Sequence, residues 1–341
     1  MQQKPTAGRL PAIGAIAALA LTLAGPAGAD TNALRISKGF GMHYLPLYIV
    51  EHERLIEKHA AALGLADLTV TWSTIDGGNV INDAMLAGAL DVASIGVPGF
   101  LNLWDKAKGN PRLEIVGLSA VGSGSLYLNT RNPKVRTLAD FTAADRIAVP
   151  GIKTSFAAVV LQMAAAKAFG MENYAKLDPL TVSLPHPDAL AAMLSGKTEI
   201  DSHFCSPPFS YIELDHPDIH RVLNSVDLFG NLTIIMAYTT RRFHDANPKV
   251  AAAVVAAVDE ANALIARDKP AAARFYRELA KVKAANAELL RILDDPDSRY
   301  SIVPAGVTTY ADFMHRVGTL KTRPDSWKDL FAPEIHDRPG S

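Results

Sequence analysis

LTVTWSTIDGGNVINDAMLAGALDVASIGVPGF, residues 68–100, and LTVSLPHPDALAAMLSGKTEIDSHFCSPPF, residues 180–209, echo one another. Each opens as a β-rich run and passes a polar turn bearing Gly or Pro. Each then enters a short amphipathic helix with an A-M-L-x-G core, continues into a strand begun by an acid, and ends on Pro and Phe. A duplicated β–loop–α–loop–β unit predicts two similar α/β lobes. Two such lobes facing each other enclose a cleft.

The flanking sequence extends the same grammar. Strands are expected over 34–40, 68–74, 91–96 and 113–120, with helices over 45–63, 78–89 and 101–108 between them. Gly122-Ser123-Gly124-Ser125 reads as a flexible joint. The alternation restarts with strands at 126–130, 147–149, 180–184, 199–204 and 232–239, and with helices at 155–169 and 188–194. After Pro248 the pattern turns helical, over 249–267, 271–281, 287–293 and 310–320. This tail lacks strands and makes a poor domain alone, which disfavours two successive independent domains. The expected organisation is lobe I from 30–121 and 228–341, lobe II from 122–227, and two crossings that form a hinge.

The N-terminus reads as an export signal. Lys4 and Arg9 precede an apolar run from Pro11 to Leu23, and Ala27-Gly28-Ala29 has the small-x-small pattern of a cleavage site, so the mature chain is expected to start at Asp30. The run is shorter than the roughly 20 residues of a stable span. The most apolar later stretch, 250–266, carries Asp259, Glu260 and Asn262. An exported protein with one cysteine, Cys205, relies on its core rather than on disulfides. That cysteine is far from the cleavage site and cannot carry an N-terminal lipid. The formal charge is −1, and no basic stripe points to nucleic acid or an anionic membrane.

In open α/β sheets ligands bind beyond the carboxyl ends of the strands. Here those ends carry Phe40, His43 and Tyr44; Gly77, Gly78 and Asn79; and Gly96 and Val97. In the second lobe they carry Lys153, Thr154, Ser155 and Phe156, then His186, then His203, Phe204, Cys205 and Ser206. Most of these loops open a helix, where free N–H groups and the macrodipole attract an anion. Thr154 and Ser155 add hydroxyls and Lys153 a charge. Hydrogen bonds to an ion contribute about 1.5–3 kcal/mol each, so four or five approach the roughly 8 kcal/mol of a micromolar site. Taken singly, the same residues are ordinary caps and turn formers. Their gathering on one rim of two sheets is what favours binding.

Catalytic and metal signatures fail. His52-Glu53 is followed by Ile56 rather than a histidine, so the zinc-protease pattern is absent. His186 and His203 with Asp188 or Asp201 have no specific metal spacing. Cys205 beside His203 reads as a small buried cysteine rather than a nucleophile. There is no G-x-S-x-G elbow, P-loop or dinucleotide fingerprint. No cofactor is expected, and the chain is not expected to be an enzyme.

Three segments carry a family likeness: HYLPLYIVEHERLIEKH (43–59), AMLAGALDVASIG (84–96) and AAMLSGKTEIDSHFCSPPF (191–209). They resemble the substrate-binding proteins of bacterial ABC importers, in the nitrate, taurine and alkanesulfonate group that shares its fold with thiamine-pyrimidine-precursor binders. The resemblance covers nearly all of the mature chain. It implies a type II periplasmic binding protein, with two Rossmann-like lobes joined by a two-segment hinge. Its function would be to capture a small, usually anionic solute as a monomer in the periplasm and deliver it to a membrane permease driven by a cytoplasmic ATPase. Taurine-type members carry an acid just after the last second-lobe strand, where this chain has Cys205 or Ser206. An amine-free or aromatic solute is therefore expected. The alternatives are a pyrimidine-precursor binder, a ligand sensor for a membrane receptor, or the pyrimidine synthase of the same fold. That synthase uses a cysteine-rich motif that a single cysteine does not supply.

Overall fold

The structure is a computed structural model that describes residues 1–2 and 30–341; the expected export signal and its cleavage site lie outside the described residues. Among the described residues, ten strands form two five-stranded sheets. They are β1 (Ala33–Lys38), β2 (Thr69–Thr74), β3 (Val92–Gly96), β4 (Ile115–Ser123), β5 (Tyr127–Thr130), β6 (Ile147–Val149), β7 (Thr181–Ser183), β8 (Ser202–Cys205), β9 (His220–Asn224) and β10 (Thr233–Thr240).

The first sheet has the order β2-β1-β3-β10-β4 and the second β7-β6-β8-β5-β9. Position for position these are the same topology. In each, three parallel strands are followed by one antiparallel strand, β10 or β5, and then by an outer strand paired antiparallel to it. The antiparallel strand is in each case the one entered from the other lobe. The chain thus passes between sheets twice, from β4 to β5 and from β9 to β10. This is the two-lobed type II periplasmic binding protein fold, and the two echoing segments occupy equivalent places in it.

The inner parallel strands β3, β6 and β8 are buried throughout, as helices on either side require, whereas the outer strands β2 and β7 are partly exposed. β3 and β4 are buried throughout. The tail packs on lobe I: helix Pro248–Arg267 buries a stripe that includes Val250, Val254, Val258, Ala261 and Ile265. Irregular segments then cover the free edge of β4. Ala120 N–H donates to the Ile302 carbonyl, Gly117 N–H to Leu330 and Ala332 N–H to Gly117. An edge left bare there would invite pairing with another chain.

Some local expectations change. The helix expected over 45–63 is two helices, Leu45–His52 and Leu55–Ala62, separated where Arg54 takes a left-handed φ of 51°. Strand β9 and helices Phe209–Leu214 and Ser225–Phe229 were not anticipated; all three are short, and β9 is an edge strand with too few residues to show a period. The Gly122–Ser125 joint is not a solvated linker. All four residues are buried, and Gly122 and Ser123 belong to β4. A β-carbon on Gly122 would lie 2.3 Å from the His43 carbonyl oxygen, so glycine serves close approach there.

Candidate functional site: the seam between the lobes

The carboxyl ends of β1, β2 and β3 face those of β6, β7 and β8. Between them lies a narrow, nearly closed cavity with about 10 Å³ of free space. Lobe I lines it with Tyr44, Asp76, Gly77, Gly78, Ile81, Ile95 and Gly96. Lobe II contributes Pro150, Thr154, Ser155 and Phe156. A wider groove of about 420 Å³, lined by Trp104, Arg241 and Arg323 among others, opens where β4 begins and β10 ends. That is the opposite edge of the lobe I sheet, away from the ligand-binding strand ends, so the narrower seam is the candidate site.

Four helices start at the seam: Gly78–Leu86, Val97–Ala107, Phe156–Phe169 and His186–Ser195. Their first turns supply main-chain N–H groups, two of which are taken by Asp76. Its carboxylate accepts from Gly77 N–H at 3.0 Å and, across the lobes, from His186 N–H at 3.3 Å. Burial raises the Asp76 pKa above the usual carboxylate range, against the opposing pull of those two N–H donors and of His203. A second cross-lobe bond runs from Met42 N–H to the Pro207 carbonyl at 2.7 Å.

Of the residues expected from the sequence, Tyr44, Gly77, Gly78, Gly96, Thr154, Ser155 and Phe156 line the cavity. Val97 is buried at the start of its helix. His43 is buried against the β4–β5 crossing, where a β-carbon on Gly124 would lie 2.9 Å from its Nε2; burial lowers its pKa to about 4. Ser206 stands at the lobe interface beside Gly41. His186 and His203 are buried behind the wall, and Phe204 is a core residue with no exposure.

Other expected residues lie outside the cavity lining or already have partners of their own. Lys153 is exposed, with a left-handed φ of 62°, and does not line the cavity. Asn79 is also exposed. Phe40 lies in a different surface groove, with Tyr48, His52 and Leu279. Ser155 Oγ accepts from Ala158 N–H at 3.2 Å, so it caps its helix. Cys205 is fully buried with its thiol 3.4 Å from Glu213 Oε2, and burial together with that carboxylate pushes its pKa well up. It is neither a nucleophile nor a cavity residue.

Two acids escaped the sequence reading. Asp76 ends the second strand beside Gly77 and Gly78, and its part in the seam depends on a contact with His186 of the other lobe that no local pattern signals. Glu213 sits on the short, unanticipated helix after β8, fully buried and bonded through Oε1 to His203 Nδ1 at 2.6 Å. An acid on the apolar face of a helix was the one available signal. His203, Cys205 and Glu213 are close enough to share a metal ion, with ligand atoms within 4.8 Å of one another, but they already satisfy each other by hydrogen bonds.

Known structures share this architecture. The alkanesulfonate-binding protein SsuA from Xanthomonas axonopodis pv. citri, bound to MOPS, superposes with a TM-score of 0.66 at 21% identity, covering 90% of this chain and 98% of its own. The periplasmic aliphatic sulphonate binding protein SsuA from Escherichia coli gives 0.64 at 19% identity, covering 89% and 93%. The periplasmic nitrate-binding protein NrtA from Synechocystis PCC 6803 gives 0.69 at 16%, covering 89% and 87%. At such identities the likeness establishes the fold. No curated protein matches the chain. With residues 27–282, most of its length, matched by the model of the NMT1-like family, the chain belongs to the NMT1-like family and has the fold of periplasmic binding proteins.

Proposed function

We propose that this chain is the solute-binding component of an ABC importer, exported to the periplasm with cleavage after Ala29. It captures a small polar solute between its lobes as a monomer and delivers it to a permease coupled to a cytoplasmic ATPase. Lobe I (30–121 and 228–341) and lobe II (122–227) move about the two crossings, and closure presents a composite surface to the permease. The observation that carries this reading is the convergence of both sets of strand ends, and of four helix starts, on one interlobe cavity.

The lining modifies the expected solute. Helix-start N–H groups suit an oxygen-bearing end. The charged group in the wall, however, is the Asp76 carboxylate, and no cation lines the cavity among the described residues. A solute carrying an amino or hydroxyl group as well as an oxyanion or carbonyl fits better than a bare anion.

A thermal-shift and calorimetric screen of nitrate, alkanesulfonates, aminosulfonates and amino acids tests this. Asp76→Asn is expected to weaken binding of the solute found by at least about tenfold, the scale of one charge-assisted hydrogen bond. Lys153→Ala is expected to leave it within about twofold, since an exposed side chain outside the cavity has little to lose. Equal affinity in Asp76→Asn and the native protein refutes this account of the lining.

A further inference from the structure

Phe156 begins a lobe II helix, and its ring crosses the seam to Gly96 of lobe I. A β-carbon on Gly96 would lie 2.8 Å from Phe156 Cδ1, 2.9 Å from its Cβ and 3.3 Å from its Cγ. The lobes approach less tightly at Gly77 and Gly78, where β-carbons would lie 3.4 Å from the Pro150 carbonyl oxygen and 3.7 Å from that of Thr154. The cavity that these contacts enclose has about 10 Å³ of free space, about enough for one water. A solute gains its room only as the lining yields, so the parts that cannot yield set its shape.

The Phe156 ring is such a part. It is buried, and behind it lies the ring of His186 at 6.0 Å, itself stacked on Phe209 at 5.4 Å. His186 Nδ1 stands 2.8 Å from His203 Nε2, and His203 Nδ1 stands 2.6 Å from Glu213 Oε1, all in the buried core of lobe II. The Phe156 backbone is fixed as well, since Ser155 caps the helix turn that it opens. A close-packed, hydrogen-bonded backing of this kind leaves the ring no space to retreat into. It is held between Gly96 on one side and the histidine on the other.

We propose that Phe156 is a specificity-determining residue of the seam: its ring, seated on Gly96, stops the closing lobes and forms a fixed end of the solute space, so that a solute with a compact body is accepted and one bearing an aromatic ring is refused. The ring occupies the place that an aromatic solute would need, which turns the expectation of an aromatic solute around. The inference rests on the reading of the seam as a solute site and narrows the class of solute that enters it.

Two probe pairs test the size limit by calorimetry: taurine with 2-amino-1-phenylethanesulfonate, and glycine with phenylglycine. Each pair shares its charged groups and differs by a phenyl ring. The native protein is expected to prefer the compact member. Phe156→Ala is expected to shift the ratio of affinities towards the phenyl member by at least about tenfold, with Phe156→Leu, which keeps a buried apolar side chain, in between. Tighter native binding of a phenyl member, or an unchanged ratio in Phe156→Ala, overturns the size limit. The stop is read without solute, from the distance between spin labels on Leu86→Cys and Leu194→Cys, two exposed sites on the two lobes; Cys205 is fully buried and stays unlabelled. Gly96→Ala is expected to lengthen that distance, and adding Phe156→Ala to restore it. No lengthening, or a double variant that stays long, overturns the stop. Binding of none of the four probes counts against the solute reading of the seam, while the label distances decide the stop by themselves.

Discussion

Gly96 and Phe156 meet across the cleft with no room for a methyl group between them. A β-carbon on Gly96 would lie 2.8 Å from Phe156 Cδ1 and 2.9 Å from its Cβ. The backbone at Gly96 has φ −62° and ψ 139°, which suits any residue, so the constraint is the approach of the other lobe. Gly96→Ala is therefore expected to cost little in Tm and to weaken solute binding by at least about tenfold, because the clash arises where the lobes meet. His43 carries a second prediction. Its pKa falls from 6.5 to about 4 on burial, so the unfolded chain takes up the proton first as pH drops. The stability that depends on its neutrality is complete above about pH 6.5 and is lost as pH falls towards 4, by up to about 3 kcal/mol. Denaturant titrations at stepped pH check this: His43→Leu is expected to lose less stability over that window than the native protein.

At the scale of the element, Ser155 shows how a residue credited with binding can be a cap. Its hydroxyl accepts from Ala158 N–H and closes the first turn of Phe156–Phe169, a helix buried along nearly its whole length. Ser155→Ala is expected to lower stability by about 1 kcal/mol in chemical denaturation. Solute affinity should change far less than in Asp76→Asn. The echo between residues 68–100 and 180–209 also belongs to this scale. Its strands take the same seats in the two sheets, and its helices both start at the seam, at Gly78 and His186. Those elements were legible because hydrophobic period, turn residues and the A-M-L-x-G core agree locally. Strand β9 and the helix bearing Glu213 were not, since five or six residues hold less than two helical turns and no resolvable alternation.

At the scale of the whole molecule, the tail completes lobe I. Segments around Arg299–Ile302 and Leu330–Ala332 pair with β4, and helix Asn286–Asp294 leads to Asp295, which accepts from the Tyr211 hydroxyl of lobe II at 2.8 Å. A chain ended at residue 285 bares the β4 edge. It is expected to be recovered in aggregates or higher oligomers, whereas the full chain elutes as a monomer in size-exclusion chromatography.

The sequence alone determined the α/β class, the duplication, the helical tail and the strand-end rim that holds the candidate site. All of these rest on patterns within a few tens of residues, where periodicity and turn chemistry act. Only the tertiary structure decided which rim residues face the cavity. Whether Ser155 bonds its own helix, whether Lys153 turns outward, and whether Asp76 reaches His186 depend on contacts between segments over a hundred residues apart in the Asp76–His186 case. The buried chain from Glu213 to His186 is of the same kind, assembled from β8 and two helices when the lobe folds. It is held by hydrogen bonds that no local pattern encodes.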